Sequence, residues 1–379
     1  MDAAAQNALR YFAPNYFAAR ASFLTLARAR GAAIATYPIR ARGPSGAELS
    51  IDTAYLGAKN PRQLLLVSSG THGVEGFAGS ALQQQWLDRV DSSTLPPDSG
   101  CLLIHAVNPY GFAWLRRANE HNVDLNRNAL DRFPGPLNAA YRELDPWLNP
   151  PAPPRVPDFF LARGLWRLLT KGFAPLRQAI VGGQYDFPRG LFYGGERHEE
   201  SIACIERIIA AEALRSVKRV IAIDLHTGLG RSAAYRLLID VAPDSPANRD
   251  LVSWFGAAAI ASSQRPGSAA YEVNGGIVDL IERRYAGSRT RVAVLEFGTV
   301  PLPRMLYRLY RENRATFHTA PDSPVLARER ARLRDAFCPP SARWRHRVLA
   351  HGDNVLQQAV QALRSVPLNR NLENAEDTD

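Results

Sequence analysis

Short apolar runs near residues 64–67, 102–107, 220–225, 236–241 and 292–297 constrain this chain most, because helix-patterned segments near 77–90, 199–215 and 247–262 alternate with them. Such alternation predicts an α/β fold, a three-layer sandwich around a central mixed, largely parallel sheet. Sheets of this kind place their ligands at the carboxyl ends of the strands. Elsewhere, 322–363 reads as helix broken at Pro339-Pro340, and Phe17, Phe23, Leu24 and Leu26 read as one face of an N-terminal helix.

The predicted strand ends carry the chemistry. His72-Gly73-Val74-Glu75 follows the first run in LLLVSSGTHGVEG, and Gly70, Gly73 and Gly76 let the backbone turn so that both side chains can reach one ion. An imidazole and a carboxylate suit Zn²⁺, and a catalytic zinc needs a third protein ligand. His226, just past the apolar run in RVIAIDLHTGLG, is the candidate for it. An HxxE pair alone is a weak signal; two strand-end histidines in glycine-rich surroundings are a stronger one. Glu296 closes the run in RVAVLEFGT. A carboxylate in a buried strand is either ion-paired, for instance with Arg291, or kept as a general base. Asp224 reads as turned away from His226 along its strand. Metal-bound histidines nevertheless need a carboxylate or carbonyl behind them, so Asp224 is a candidate for that role, and His121 a weaker one.

Two further segments complete the set. NPYGFAWLRRANEHNVDLNRN, residues 108–128, offers Arg116, Arg117, Asn126 and Arg127. Arginine presents a rigid donor fork suited to carboxylates. Asn126-Arg127 reads as an anion-binding pair and Arg116 as a solvated member of the loop. In YEVNGGIVD, Tyr271 precedes a Gly-Gly turn.

With these residues in this order the chain resembles the carboxypeptidase A-like zinc metallopeptidases. The resemblance covers roughly residues 64–300 and implies a zinc-carboxypeptidase-like sandwich holding one Zn²⁺ per chain. By it, His72, Glu75 and His226 would hold the metal, and Asn126 and Arg127 would grip a substrate carboxylate. Arg117 would polarise the scissile carbonyl, Tyr271 would close over the substrate, and Glu296 would be the general base. Within the superfamily the chain looks like a bacterial branch, related to aspartoacylase-like enzymes. It departs from the pattern in the long interval between Glu75 and His226, which carries an extra segment, 133–198. Val278 stands where side-chain preference is usually set, and it offers no charge.

Length fits one catalytic domain, 1–363, with 133–198 inserted in it and a polar tail, 364–379, expected to be disordered. The proline-rich part, 133–157, reads as a partly mobile interruption. The net charge of +10 is almost wholly arginine, with only three lysines, and it is spread along the chain, so a nucleic-acid partner is not expected. Cys101, Cys204 and Cys338 lack metal spacing and read as buried free thiols. His105 reads as a core residue, and His198, His318, His346 and His351 as surface groups. With no secretory pattern and no run near the roughly 20 apolar residues of a membrane span, a cytoplasmic protein without a membrane partner is expected.

Three functions fit these residues. The first is a zinc exopeptidase acting on a peptide with a free C-terminal carboxylate. The second is a deacylase of N-acyl amino acids. The third is a non-catalytic peptide-binding module, the weakest, because every expected ligand and the base are present.

Overall fold

The computed structural model of the chain describes residues 9–91, 93–211, 214–264 and 273–365. Helix α1 (Tyr16–Ala29) starts where the Asn15 side chain accepts the Ala18 N–H, and it buries Tyr16, Ala19, Phe23, Leu24 and Ala27. Phe17 lies outside that face, 37% exposed. Strands β1 (Ala33–Arg42) and β2 (Glu48–Gly57) form an antiparallel pair. Then come β3 (Gln63–Ser69), α2 (Gly76–Arg89), β4 (Ser99–His105) and a short α3 (Pro109–Ala113). Helices α4 (Ala139–Leu148), α5 (Phe160–Lys171), α6 (Phe173–Val181) and α7 (Glu200–Ile209) lead to β5 (Arg219–Thr227) and β6 (Tyr235–Ile239). The chain continues through α8 (Pro246–Phe255), β7 (Ile260–Ser262), α9 (Ile277–Arg284) and β8 (Arg289–Phe297). It closes with α10 (Leu302–His318), α11 (Pro324–Phe337) and α12 (Ala342–Ser365).

Among the described residues the strands form one eight-stranded sheet in the order β1-β2-β4-β3-β5-β8-β6-β7. Its centre, β4-β3-β5-β8, is parallel, while β2 joins β4 and β6 joins β8 antiparallel. The expected mixed α/β sheet is therefore present. Period-two alternation sends β3 side chains to both faces: Leu65 and Val67 pack in one core, Leu64 and Leu66 in another. Helices cover both faces, which makes the three layers.

Three expectations need correction. The helix expected over 247–262 stops at Phe255, because Gly256 takes a positive φ of 82°, and 260–262 is strand. The proline-rich interruption is packed: Tyr141, Leu144 and Trp147 of α4 meet Phe160, Ile180 and Tyr310. Arg314 of α10 donates to the Ala152 and Pro153 carbonyls at 2.7 Å, tying down the prolines. Of the tail expected from 364, Arg364 and Ser365 belong to α12, and 366–379 lie outside the described residues. The break between α11 and α12 falls at Pro339-Pro340, as expected. All three cysteines are buried and free, and no helix among the described residues is long and apolar enough to cross a membrane.

Candidate metal and active site

Strands β3, β5 and β8 run parallel and side by side, so their carboxyl ends share one edge of the sheet. His226 pairs in register with Glu296 on the neighbouring strand, and the turn after β3 brings His72 and Glu75 to the same edge. That turn is tight. A Cβ on Gly73 would lie 2.0 Å from the carbonyl carbon of Gly111, so only glycine lets the two segments touch. The contact is sealed by Gly73 N–H to the Arg117 carbonyl (3.2 Å) and Val74 N–H to the Arg116 carbonyl (3.0 Å). The arginine loop is thereby fixed against the HxxE turn.

The ligand atoms converge. His72 Nδ1 lies 2.7 Å from Glu75 Oε1, and His226 Nδ1 lies 3.1 Å from Glu75 Oε2 and 3.2 Å from His72 Nδ1. One ligand atom from each of the three residues falls within 4.8 Å of the others, and all three side chains are buried. Both imidazoles point Nδ1 inward and Nε2 toward a carboxylate. Asp224 Oδ2 sits 2.5 Å from His226 Nε2, and Asp124 Oδ1 sits 3.1 Å from His72 Nε2. Residues two apart on a strand share a face, so Asp224 is not turned away from His226 as expected. Ser68 and Thr71 hydroxyls hold Asp224 in place (2.7 and 2.9 Å). Two imidazoles and a carboxylate, with a buried acid behind each imidazole, fit a zinc ion.

The electrostatics match that donor set. Burial works against ionising Glu75, yet the neighbouring His72 and His226 hold its carboxyl at about 2. Burial likewise opposes protonation of His226, but Asp224 and Glu75 raise it well above its usual range. Asp124 is held well below the ordinary carboxylate range against its burial, first by Arg117 and then by Arg127 and His72. Glu296 goes the other way. Burial and then the charge of Glu75 push its carboxyl up to about 8 in the metal-free protein. A divalent cation beside it would draw that value down. The Leu229 N–H donates to Glu296 Oε1 at 2.8 Å, and Arg291 pairs with Asp250 instead, at 2.6 Å.

These groups open into a cavity of about 150 Å³ whose wall includes His72, Glu75, Arg117, Asn126, His226 and Glu296. The Arg117 guanidinium donates to Asp124 Oδ2, with Nη2 2.7 Å from His72 Nε2. Asn126 faces the cavity, its Oδ1 accepting the Ile277 N–H at 3.2 Å. Val278 also lies in the wall.

The structure does not bring the remaining loop residues to the cavity. Arg127 is fully buried behind Asn126, donating to the Asn126 carbonyl at 2.7 Å and to that of Val181. Arg116 is not solvated: it is 3% exposed, with Nε donating to Glu312 Oε1 (3.0 Å) and Nη2 to Asn122 Oδ1 (2.8 Å). His121 pairs with Glu199 at 2.7 Å, away from the ligands. His105 is a core residue, stacked on Phe23 and 2.8 Å from the Ser80 hydroxyl. Tyr271 lies outside the described residues.

The family described as "protein of unknown function (DUF2817)" matches residues 12–351. The chain belongs to that family. No curated protein sequence matches it. Among solved structures, this DUF2817 chain is similar to carboxypeptidase A from Helicoverpa armigera, at 12% identity and a TM-score of 0.44, over 84% of this chain and 73% of that one. It is similar to thrombin activatable fibrinolysis inhibitor at 10% identity and a TM-score of 0.47, over 93% and 75%. It is also similar to succinylglutamate desuccinylase from Chromobacterium violaceum, at 14% identity and a TM-score of 0.37, over 84% and 75%.

Sequence reasoning missed Asp124, which backs His72, and the helical side of the cavity. Leu302, Met305, Leu306 and Leu309 of α10 and Phe337 of α11 all line it. The Asp224 contact gives a direct test of the metal assignment. Asp224→Asn keeps the size but loses the charge behind His226, so zinc affinity should fall by about 10–100-fold in a chelator competition. Unchanged affinity would separate Asp224 from the metal.

Proposed function

We propose that this chain is a zinc-dependent hydrolase that cleaves an amide bond next to a free carboxylate, of the metallocarboxypeptidase type. One observation carries the reading: the ligand atoms of His72, Glu75 and His226 converge beside Glu296, which is paired in register with His226. Bound zinc would supply Lewis acidity toward a carbonyl oxygen and acidify a water. The rest falls to the chain. Glu296 takes a proton from the attacking water and delivers it to the departing nitrogen, oriented by the Leu229 N–H on one oxygen. Arg117, fixed by Asp124, offers positive charge to the oxygen on which negative charge develops. Asn126 contacts the substrate carboxylate. Arg127 acts from behind by holding the Asn126 backbone, and Tyr271 closes over the substrate.

A second reading, deacylation of an N-acyl amino acid, uses the same groups and is favoured by the aliphatic cavity wall from α10. Both readings require a free carboxylate. Zinc-loaded protein incubated with peptides, their C-terminal amides and N-acyl amino acids should consume only free acids, read by mass spectrometry. Amidated peptides cleaved as fast as free acids would overturn the carboxylate requirement.

A further inference from the structure

Helix α5 has the sequence FLARGLWRLLTK, yet of its residues only Phe160 is buried. Leu161, Leu165, Trp166 and Leu169 are 49–77% exposed, and Phe173 at the start of α6 is 56% exposed. A contiguous apolar face of this kind marks a binding surface more often than idle surface. It borders a groove of about 300 Å³ between α5, α6 and the start of α10. Arg177, Ile180, Leu302 and Leu306 line both this groove and the cavity that holds Glu296. The groove therefore adjoins the cavity that holds Glu296, with these four side chains common to both walls. Among the described residues lining it, Arg177 is the one that carries a charge. No acidic residue occurs from 159 to 185, whereas Arg163, Arg167, Lys171 and Arg177 do, Lys171 being paired with Glu143 at 2.5 Å.

We infer that the groove holds the hydrocarbon chain of a long-chain fatty-acyl amide, so that the substrate is an N-acyl amino acid with an extended aliphatic chain. The inference rests on the second reading above, deacylation of an N-acyl amino acid, and names the class of acyl group. A peptide laid along these walls would bury amide groups with few partners, which is costly, whereas a methylene chain has no polar group to satisfy. The amino-acid carboxylate would lie toward Asn126 and the basic rim would favour an anionic amphiphile. Hydrolysis breaks the acyl C–N bond and forms a C–O bond from water. One water proton goes by way of Glu296 to the amine, leaving a fatty acid and a free amino acid.

Two measurements test this separately. In the first, cis-parinaric acid is titrated into the zinc-loaded protein and displaced with palmitate. One competable site per chain is expected, weakened at least tenfold in Leu165→Glu, a change at a position exposed enough to leave the fold intact. In the second, KM is compared for acetyl, octanoyl and dodecanoyl derivatives of one amino acid. Each methylene that enters the groove should lower KM up to about fourfold, and Leu165→Glu should flatten that dependence. Equal kcat/KM across chain lengths, or no competable probe site, overturns the inference while leaving the hydrolase reading intact. If no amide of any length is cleaved, the hydrolase reading fails, and the probe titration alone decides whether the groove takes a hydrocarbon chain. Cosedimentation with anionic phospholipid vesicles, without chain-length dependence or a probe site, would make the face a membrane contact and also overturn it.

Discussion

Glu296→Gln is expected to lower kcat by about 10²–10⁴-fold while leaving zinc content and fold unchanged. Glutamine keeps the shape and can still accept the Leu229 N–H, but it cannot take a proton from water. The parent activity should rise with pH as Glu296 loses its proton, and this acid limb should vanish in the variant. Elemental analysis, circular dichroism and a pH–rate profile read the three parts. A folded, zinc-loaded variant that keeps most of its kcat would remove Glu296 from the reaction.

His226→Ala should abolish stoichiometric zinc, dropping the content from one ion per chain to a small fraction of that. It should also destabilise the metal-free protein, since Asp224 and Glu75 are left buried without their shared cation. Removing one partner of a buried pair costs about 3–5 kcal/mol. The sign with pH follows from both groups. The raised His226 pKa stabilises the fold fully below its ordinary 6.5 and is lost as pH climbs through the folded value. The lowered Glu75 pKa stabilises above its ordinary 4.5 and is lost as pH falls toward about 2. The difference between parent and variant should therefore be largest between those ordinary values, measured by denaturant titration with a chelator present. Full zinc retention in His226→Ala would refute the ligand set.

The central strands and the meeting of His72, Glu75 and His226 were legible because each depends on short-range chemistry: an apolar run, then glycine and a side chain of metal-binding type. Strand β1 was not, since Pro38 interrupts it and only Ile39 is buried along its length. The loop from 108 to 128 was read by residue type, and type does not say which way a side chain points. Arg116 and Arg127 turned inward to carboxylates and carbonyls, and nothing in the sequence around Asp124 marks it as the partner of His72, 52 residues away. The aliphatic wall from α10 was invisible for another reason. Leucines that line a cavity and leucines that fill a core follow the same helical spacing.

Three adjacent parallel strands draw the site from distant parts of the chain, and His72 stands 154 residues from His226. During synthesis His72 and Glu75 emerge long before His226, and Glu296 comes last of all. Between those moments β3 has neither β5 beside it nor the register that sets His226 against Glu296. Until β5 and β8 are in place, His72 and Glu75 have neither His226 nor Glu296 beside them. The meeting of His72, Glu75, His226 and Glu296 therefore waits on formation of the parallel centre of the sheet, a slow step because its contacts are so non-local.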